Sequence, residues 1–199
     1  TNLNHMDPVH LLFDIVEGIE LNFNKTRGTG ATIFRNVAPA TVIIATKTGI
    51  GSGEFSNNPW LQELPDPISK TTWDNYLTIS PRFAKELGLT NEYVSNGALN
   101  GDVVNLDVNG KSLRVPVLIQ PGQAYKTVGL ALGYGRKGSG KAGDGVGVNA
   151  FIFAEDFNTV IYGAMISKLE GEVHEFACTQ LHHTMMGRDR IVKETTLDA

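Results

Sequence analysis

The sequence predicts a mainly β protein with short helices, arranged as a β-barrel rather than as a doubly wound sheet. Three observations support this fold class. The apolar runs are short and rich in β-branched residues, an Asn109-Gly110 turn joins two of them, and only brief segments have helical spacing.

The composition excludes several classes of protein. The 199 residues suit one domain or at most two small ones, and 41% hydrophobic with 19% charged residues is typical of a globular chain. The formal net charge of −4 provides no basic field, so we expect no nucleic-acid partner. No apolar run approaches the roughly 18 residues of a membrane-spanning helix, and the first residues lack the charged-then-apolar pattern of a leader, so we expect neither a membrane span nor a signal peptide. The single cysteine, Cys178, excludes an internal disulfide and a cysteine-ligated iron–sulfur cluster.

The first half of the chain contains two predicted helices and two predicted strands. A cap at Asp7 and helical spacing of apolar residues predict a helix over residues 7–16. Strands are predicted at 41–46 and 77–79, separated by a long loop at 49–67 that carries apolar side chains. Ser80-Pro81 then begins a helix of about two turns that Gly88 ends.

The second half is predicted to be strands and loops. Alternating residues at 104–108 and 113–119 flank Asn109-Gly110, which predicts a β-hairpin. Further strands are predicted at 128–132, 159–166 and 172–177, and the charged tail beyond Arg188 is expected to fray.

The glycine-rich segment 133–147, here called the glycine loop, invites comparison with phosphate-binding loops. Gly135-x4-Gly140-Lys141 is one residue short of a Walker A motif, because Ala142 replaces the Ser or Thr that binds magnesium. No helix is predicted to follow it. A solvated loop is therefore the favoured interpretation, with Arg136, Lys137 and Lys141 available to an anion or a partner surface.

A cluster of potential metal ligands lies near the carboxyl end. His174, Cys178, His182 and His183 are spaced by four, four and one residues, and on a helix the first three would share one face and could hold zinc. The surrounding sequence instead predicts the end of a strand, which would separate them. A small buried cysteine is the alternative role for Cys178.

A series of motifs resembles the carboxyl-terminal cofactor domain of molybdopterin-dependent oxidoreductases. It begins with NPWLQELPDP at 58–67 and TWDN at 72–75. Further matches follow in the order that the family shows, at 80–88, 101–104, 119–122, 128–136, 147–149, 179–183 and 187–188. The resemblance is strongest to the large iron–sulfur/molybdopterin-like subunit of alternative complex III, a quinol-oxidising respiratory assembly.

This resemblance implies a fold, a cofactor and a site. The fold would be a double-psi β-barrel (the aspartate decarboxylase-like barrel) over residues 49–199. Residues 1–48 show little resemblance to the family and are expected to be an amino-terminal segment of unassigned role that packs on the barrel. The cofactor would be molybdopterin guanine dinucleotide, to which Trp60 can offer a stacking surface and Arg188 a pyrophosphate contact. By position, the cofactor-binding candidates are Trp60, Gln62, Glu63, Asn149, Thr179, Gln180, His182, His183 and Arg188. No catalytic or metal-ligating residue is implied.

Three functions follow as alternatives. The first is a scaffold domain with a degenerate cofactor pocket, not catalytic by itself, in a quinol-oxidising electron-transfer complex. Its partners would be other domains and subunits of that membrane-associated complex, on the periplasmic side of the bacterial inner membrane. The second is a functional domain that binds molybdopterin guanine dinucleotide. The third is a zinc-binding interaction module. If Trp60 fills an emptied pocket, Trp60→Ala would cost about 3–5 kcal/mol. If Trp60 instead awaits a ligand, the same change would hardly alter stability but would abolish protection by the nucleotide.

Overall fold

A computed structural model describes residues 37–94, 98–154 and 159–180, all within one compact unit, Phe34–Ala199. These residues form a mainly β fold with a closed six-stranded β-barrel and few short helices, which confirms the predicted fold class. The architecture is consistent with a double-psi barrel. The predicted helix at 7–16 and the tail beyond Arg188 lie outside the described residues.

The strands and helices are numbered here in chain order. The strands are β1 (Val37–Ala45), β2 (Thr71–Thr72), β3 (Leu77–Ile79), β4 (Asn91–Tyr93), β5 (Ala98–Val108), β6 (Lys111–Ile119), β7 (Thr127–Ala131) and β8 (Thr159–Cys178). The α-helices are α1 (Pro59–Glu63) and α2 (Pro81–Leu87), and Ala150–Ile152 forms one 3-10 turn.

Six of these strands close into the barrel, in the order β8-β1-β7-β3-β6-β5 and back to β8. The pairs β1/β7 and β3/β6 are parallel, and the other four pairs are antiparallel. The two remaining strands extend the sheet: β2 pairs with the end of β8, and β4 pairs with β5. The sequence suggested that the barrel begins at residue 49. Because β1 is a barrel strand, the barrel begins earlier in the chain.

Local sequence signals explain several of these elements. Asn109-Gly110 forms the turn between β5 and β6, as the hairpin pattern predicted. Ser80 caps α2 by accepting a hydrogen bond from the Phe83 amide, and Gly88 ends the helix. Along β1, alternate residues such as Val42 and Ile44 are fully buried while Ile43 between them is exposed, which is the period of a strand with one face on the core.

The carboxyl-terminal strands differ from the prediction. The segments 159–166 and 172–177 belong to one continuous strand, β8, of 20 residues. Its pairing register shifts opposite 40–42 of β1 and opposite 102–104 of β5. Gly163 and Gly171 lie at these shifts with φ of 71° and 76°. These two glycines form bulges that bend the strand around the barrel.

The core fills the barrel and extends under α2. Its fully buried members are aliphatic or aromatic, and burying each such side chain stabilises the fold by about 1.5–3 kcal/mol. They include Val42, Ile44, Leu77, Ile79, Phe83, Val104, Leu106, Val115, Val117, Val128 and Ile166. In the described part of the chain, no helix is long and apolar enough to cross a membrane.

Asn75 joins the barrel to the end of the glycine loop. Its side chain is fully buried, and its Nδ2 donates to the carbonyl oxygens of Ala131 (2.7 Å) and Val148 (2.9 Å). Its Oδ1 accepts from the Val148 amide at 2.7 Å. A buried amide whose groups are paired in this way fixes one arrangement of the two segments.

Replacing Asn75 tests this connection. Asn75→Ala leaves buried backbone groups of Ala131 and Val148 without partners, so it should lower the free energy of unfolding by about 2–4 kcal/mol. Chemical denaturation measures the loss. Asn100→Ala, at a partly exposed position of β5, is the control and should cost less than about 1 kcal/mol. Equal losses in the two variants would contradict the assigned role of Asn75.

Candidate functional site

The short helix α1 sets the direction of the first predicted site residues. The Asn58 side chain caps it by accepting from the amides of Trp60 (3.1 Å) and Leu61 (3.4 Å). Successive helical residues are about 100° apart, so positions 60 and 62 face nearly opposite sides. Trp60 is therefore 82% exposed, whereas Gln62 is 2% exposed. Glu63 is also exposed.

Gln62 anchors the 49–67 loop from inside. Its Nε2 donates to the carbonyl oxygen of Ser56 at 2.7 Å, and its own backbone carbonyl accepts from the Trp73 amide at 2.9 Å. Its Oε1 is buried and accepts no hydrogen bond from the residues that the structure describes. The Gln62 side-chain amide, which was a candidate contact to the cofactor, thus donates its hydrogen bond within the chain.

The glycine loop packs against the 49–67 loop. The Arg136 Nη2 donates to the carbonyl oxygen of Ser52 at 2.8 Å, and the Ala142 amide donates to the Asn57 Oδ1 at 3.1 Å. Gly143 and Gly147 both lie where an added Cβ would meet neighbouring atoms at 2.4 Å or less. These contacts between segments distant in sequence hold the loop in place, while Lys137, Lys141 and Asp144 are exposed, as expected of a solvated loop.

The Asp144 carboxylate accepts hydrogen bonds within the glycine loop. The Asp144 Oδ1 accepts from the Ser139 amide at 2.7 Å and from the Ser139 hydroxyl at 3.0 Å. The hydrogen bond from the Ser139 amide lowers the pKa of the Asp144 carboxyl most, and the amides of Gly138 and Gly140 lower it by smaller amounts. The pKa of Asp144 therefore lies below its ordinary value. Asp144 thus serves as an acceptor within the loop for the amide and the hydroxyl of Ser139.

A cavity of about 710 Å³ lies beside the glycine loop. Asn149 is one of its lining residues, and its Oδ1 caps the 3-10 turn by accepting from the Phe151 amide at 3.0 Å. The other lining residues are Gly135, Arg136, Lys137, Gly138, Ser139 and Phe151. Asn149 thus lines the same cavity as two basic residues, Arg136 and Lys137, and the Arg136 guanidinium donates to the Ser52 carbonyl oxygen.

The end of β8 carries the last predicted site residues that the structure describes. Thr179 and Gln180 are exposed, and the Thr179 amide donates to the Lys70 carbonyl oxygen at 2.9 Å. Thr179 lines a different cavity, of about 430 Å³, with Cys178 and Phe176 among its walls. The structure therefore does not bring Asn149 and Thr179 into one cavity. His182, His183 and Arg188 lie outside the described residues.

The spacing of His174 and Cys178 does not make a shared metal site. Both residues lie on β8, and four residues of extended strand span about 13 Å, whereas the zinc hypothesis required a helix. The His174 Nε2 instead contacts the Asp74 carboxylate, and the Cys178 Sγ lies 3.4 Å from the Thr71 hydroxyl. Within the described ranges, no group of three or more His, Cys, Asp and Glu residues could hold a metal ion.

A polar cluster around Asp74 was missed by the sequence reasoning. The Asp74 carboxylate pairs with His174, whose ring meets Phe176 edge-on at 4.8 Å. The Asp74 backbone carbonyl accepts from the Lys47 ammonium at 2.8 Å. Asp74 belongs to the TWDN motif, but nothing near Lys47 in the sequence indicates that it contacts a residue 27 positions away.

Comparisons with known proteins do not identify a family. No protein-family model matches the chain, and no curated protein matches it significantly.

The exposure of Trp60 favours a small effect of Trp60→Ala on stability over the large loss expected if it filled an emptied pocket. Because Trp60 does not fill a pocket, Trp60→Ala should change the free energy of unfolding of the chain by less than about 0.5 kcal/mol. Phe83→Ala, at a fully buried position of α2, is the positive control and should cost about 3–5 kcal/mol. A loss at position 60 comparable to that control would contradict the placement of Trp60 at the surface.

Proposed function

We propose that this chain is a scaffold barrel from a subunit of the molybdopterin oxidoreductase family, in which the chain's own groups occupy the cofactor pocket. The observation that carries the proposal is the Asp144 carboxylate bound to the Ser139 amide and hydroxyl. A negative charge at this position repels the pyrophosphate of a guanine dinucleotide and takes the donors that it would use.

Two further contacts support a closed pocket. The Gln62 amide nitrogen is bound by Ser56, and the Arg136 guanidinium donates to the carbonyl oxygens of Ser52 and Gly133. Recognition of a pterin or a pyrophosphate would require these donors to be available to the ligand. In the proposal Arg136 instead joins the glycine loop to the 49–67 loop, and Gln62 braces the 49–67 loop from inside.

The 49–67 loop and the residues just after it provide surface for a partner. Their large apolar side chains Phe55, Trp60, Leu64 and Ile68 are 53%, 82%, 48% and 70% exposed. Exposed apolar groups concentrated in one segment are typical of interaction surfaces. The proposed partners are other domains and subunits of a quinol-oxidising respiratory complex at the periplasmic side of the inner membrane, where this domain supports assembly without catalysing a reaction itself.

A thermal-shift titration with guanosine diphosphate distinguishes the scaffold from a functional dinucleotide-binding domain. A ligand that binds the folded state raises Tm by mass action. The scaffold predicts no saturable rise for the full chain at millimolar nucleotide. A saturable rise that Lys137→Ala abolishes would overturn the proposal and assign a working pocket to the cavity beside the glycine loop.

The role of Asp144 predicts a pH dependence. Because the pKa of Asp144 is lowered in the folded state, its contribution to stability is present above its ordinary value of 3.8 and is lost as the pH falls through the folded value. Asp144→Ala should therefore lower Tm at neutral pH, and the difference from the parent chain should shrink as the pH falls below about 4. Thermal unfolding across this range measures it, and a difference that stays constant into strong acid would contradict the assignment.

A further inference from the structure

Two adjoining cavities form a groove on the outer side of the barrel wall. They have volumes of about 340 Å³ and 100 Å³ and share Lys47, Thr48 and Asp66 among their lining residues. The larger cavity lies over the paired strands β1 and β7, whose lining residues are small: Ala45, Gly129 and Ala131. We call these two cavities together the outer groove.

Exposed apolar side chains border the outer groove. Ile43 and Ile68 line the larger cavity and are 42% and 70% exposed, and the exposed Leu64 lines the smaller one. Trp60 and Leu64 lie four residues apart along α1 and its C-terminal cap, a spacing that returns to the same side of a helix. The exposed apolar surface therefore extends from the groove along this side of α1.

The strands beneath the outer groove offer no free edge to a further strand. Ile43 of β1 pairs with Gly129 of β7 on one side and with Val160 of β8 on the other, and β7 also pairs with β3. Because both edges of β1 and β7 are already paired, an extended peptide cannot add to the sheet here. An occupant must bind through its side chains, and a helix with apolar residues three and four positions apart provides such a surface.

Acidic residues surround this apolar surface. The segment 48–69 contains Glu54, Glu63 and Asp66 and no lysine or arginine. In the part of the chain that the structure describes, none of these three carboxylates belongs to a salt bridge. The Lys47 ammonium at the groove wall attracts Asp66, which leaves the exposed Glu63 at the end of α1 as a charge for a partner. A partner that complements this surface therefore carries lysine or arginine beside its apolar residues.

The same charge disfavours the other occupants that an apolar surface attracts. In a symmetric dimer of this chain the same patch meets itself, so carboxylates would meet carboxylates across the interface. An anionic lipid surface would be repelled by the same groups. A basic amphipathic helix matches both the apolar side chains and the negative charge.

We propose that the outer groove and the adjoining side of α1 bind a basic amphipathic helix of a partner protein. The apolar residues of this helix pack on Ile43, Leu64 and Ile68, and its lysine or arginine residues lie beside Glu63. The inference rests on the proposed scaffold function, whose partner it specifies.

A synthetic leucine–lysine peptide with its leucines at helical spacing tests the proposal on the full chain. Trp60 is 82% exposed, so its fluorescence emission should shift to shorter wavelength when the peptide covers it. We expect a saturable shift with this peptide, and none with a leucine–glutamate peptide of the same pattern or with phosphatidylglycerol vesicles. Trp60→Phe should abolish the shift. Equal shifts with both peptides, a shift with vesicles, a shift that persists in Trp60→Phe, or none with the leucine–lysine peptide would overturn the proposal.

Two pairs of variants at exposed positions test the charge and the groove separately. Glu63→Lys should weaken binding of the leucine–lysine peptide about tenfold, whereas Glu92→Lys, the same change on β4, should alter it less than about twofold. Ile68→Ser should weaken binding, and Val173→Ser, at a similarly exposed position of β8, should not. Equal effects within either pair would overturn the proposal. Failure of the peptide to bind leaves the guanosine diphosphate titration unaffected, so the two proposals fail on different measurements.

Discussion

Closure of the barrel by β8 is the constraint on which the rest of the structure depends. This one strand pairs with β1 over its first half and with β5 over its second, so it joins the two ends of the sheet. Closure removes the open edges that would otherwise leave backbone donors and acceptors unpaired. The two register shifts let β8 curve enough to make both contacts, and its end then holds β2 and the segment that carries Asp74.

Polar side chains, rather than apolar packing, hold the glycine loop and the 49–67 loop in position on the barrel. Asn75 fixes one end of the glycine loop to the barrel, Arg136 fixes the other to the 49–67 loop, and Asp144 organises the amides between them. Each of these groups could in principle recognise a ligand, but each is bound within the chain. These hydrogen bonds within the chain are the physical argument for the proposed scaffold function. In that proposal, the exposed surface around Trp60 is where a partner would bind.

Signals that act over a few residues were readable from the sequence, and contacts between distant residues were not. The Asn109-Gly110 hairpin and the helix from Ser80-Pro81 to Gly88 follow from turn and cap chemistry, and both are present. By contrast, His174 meets Asp74 across 100 positions and Asn75 meets Val148 across 73. Only the closed barrel brings such pairs together. The sequence therefore could not indicate that His174 pairs with Asp74 or that Asn75 holds the end of the glycine loop.

The most direct test of the proposed scaffold function is the metal content of the protein purified from its native host. Elemental analysis for molybdenum and tungsten reports whether the pocket holds a cofactor, whatever the isolated chain binds. A pocket occupied by Asp144 and by the internal contacts of Gln62 and Arg136 predicts neither metal in stoichiometric amount. Stoichiometric molybdenum or tungsten would contradict the scaffold account and make the glycine loop and the 49–67 loop parts of a working cofactor site.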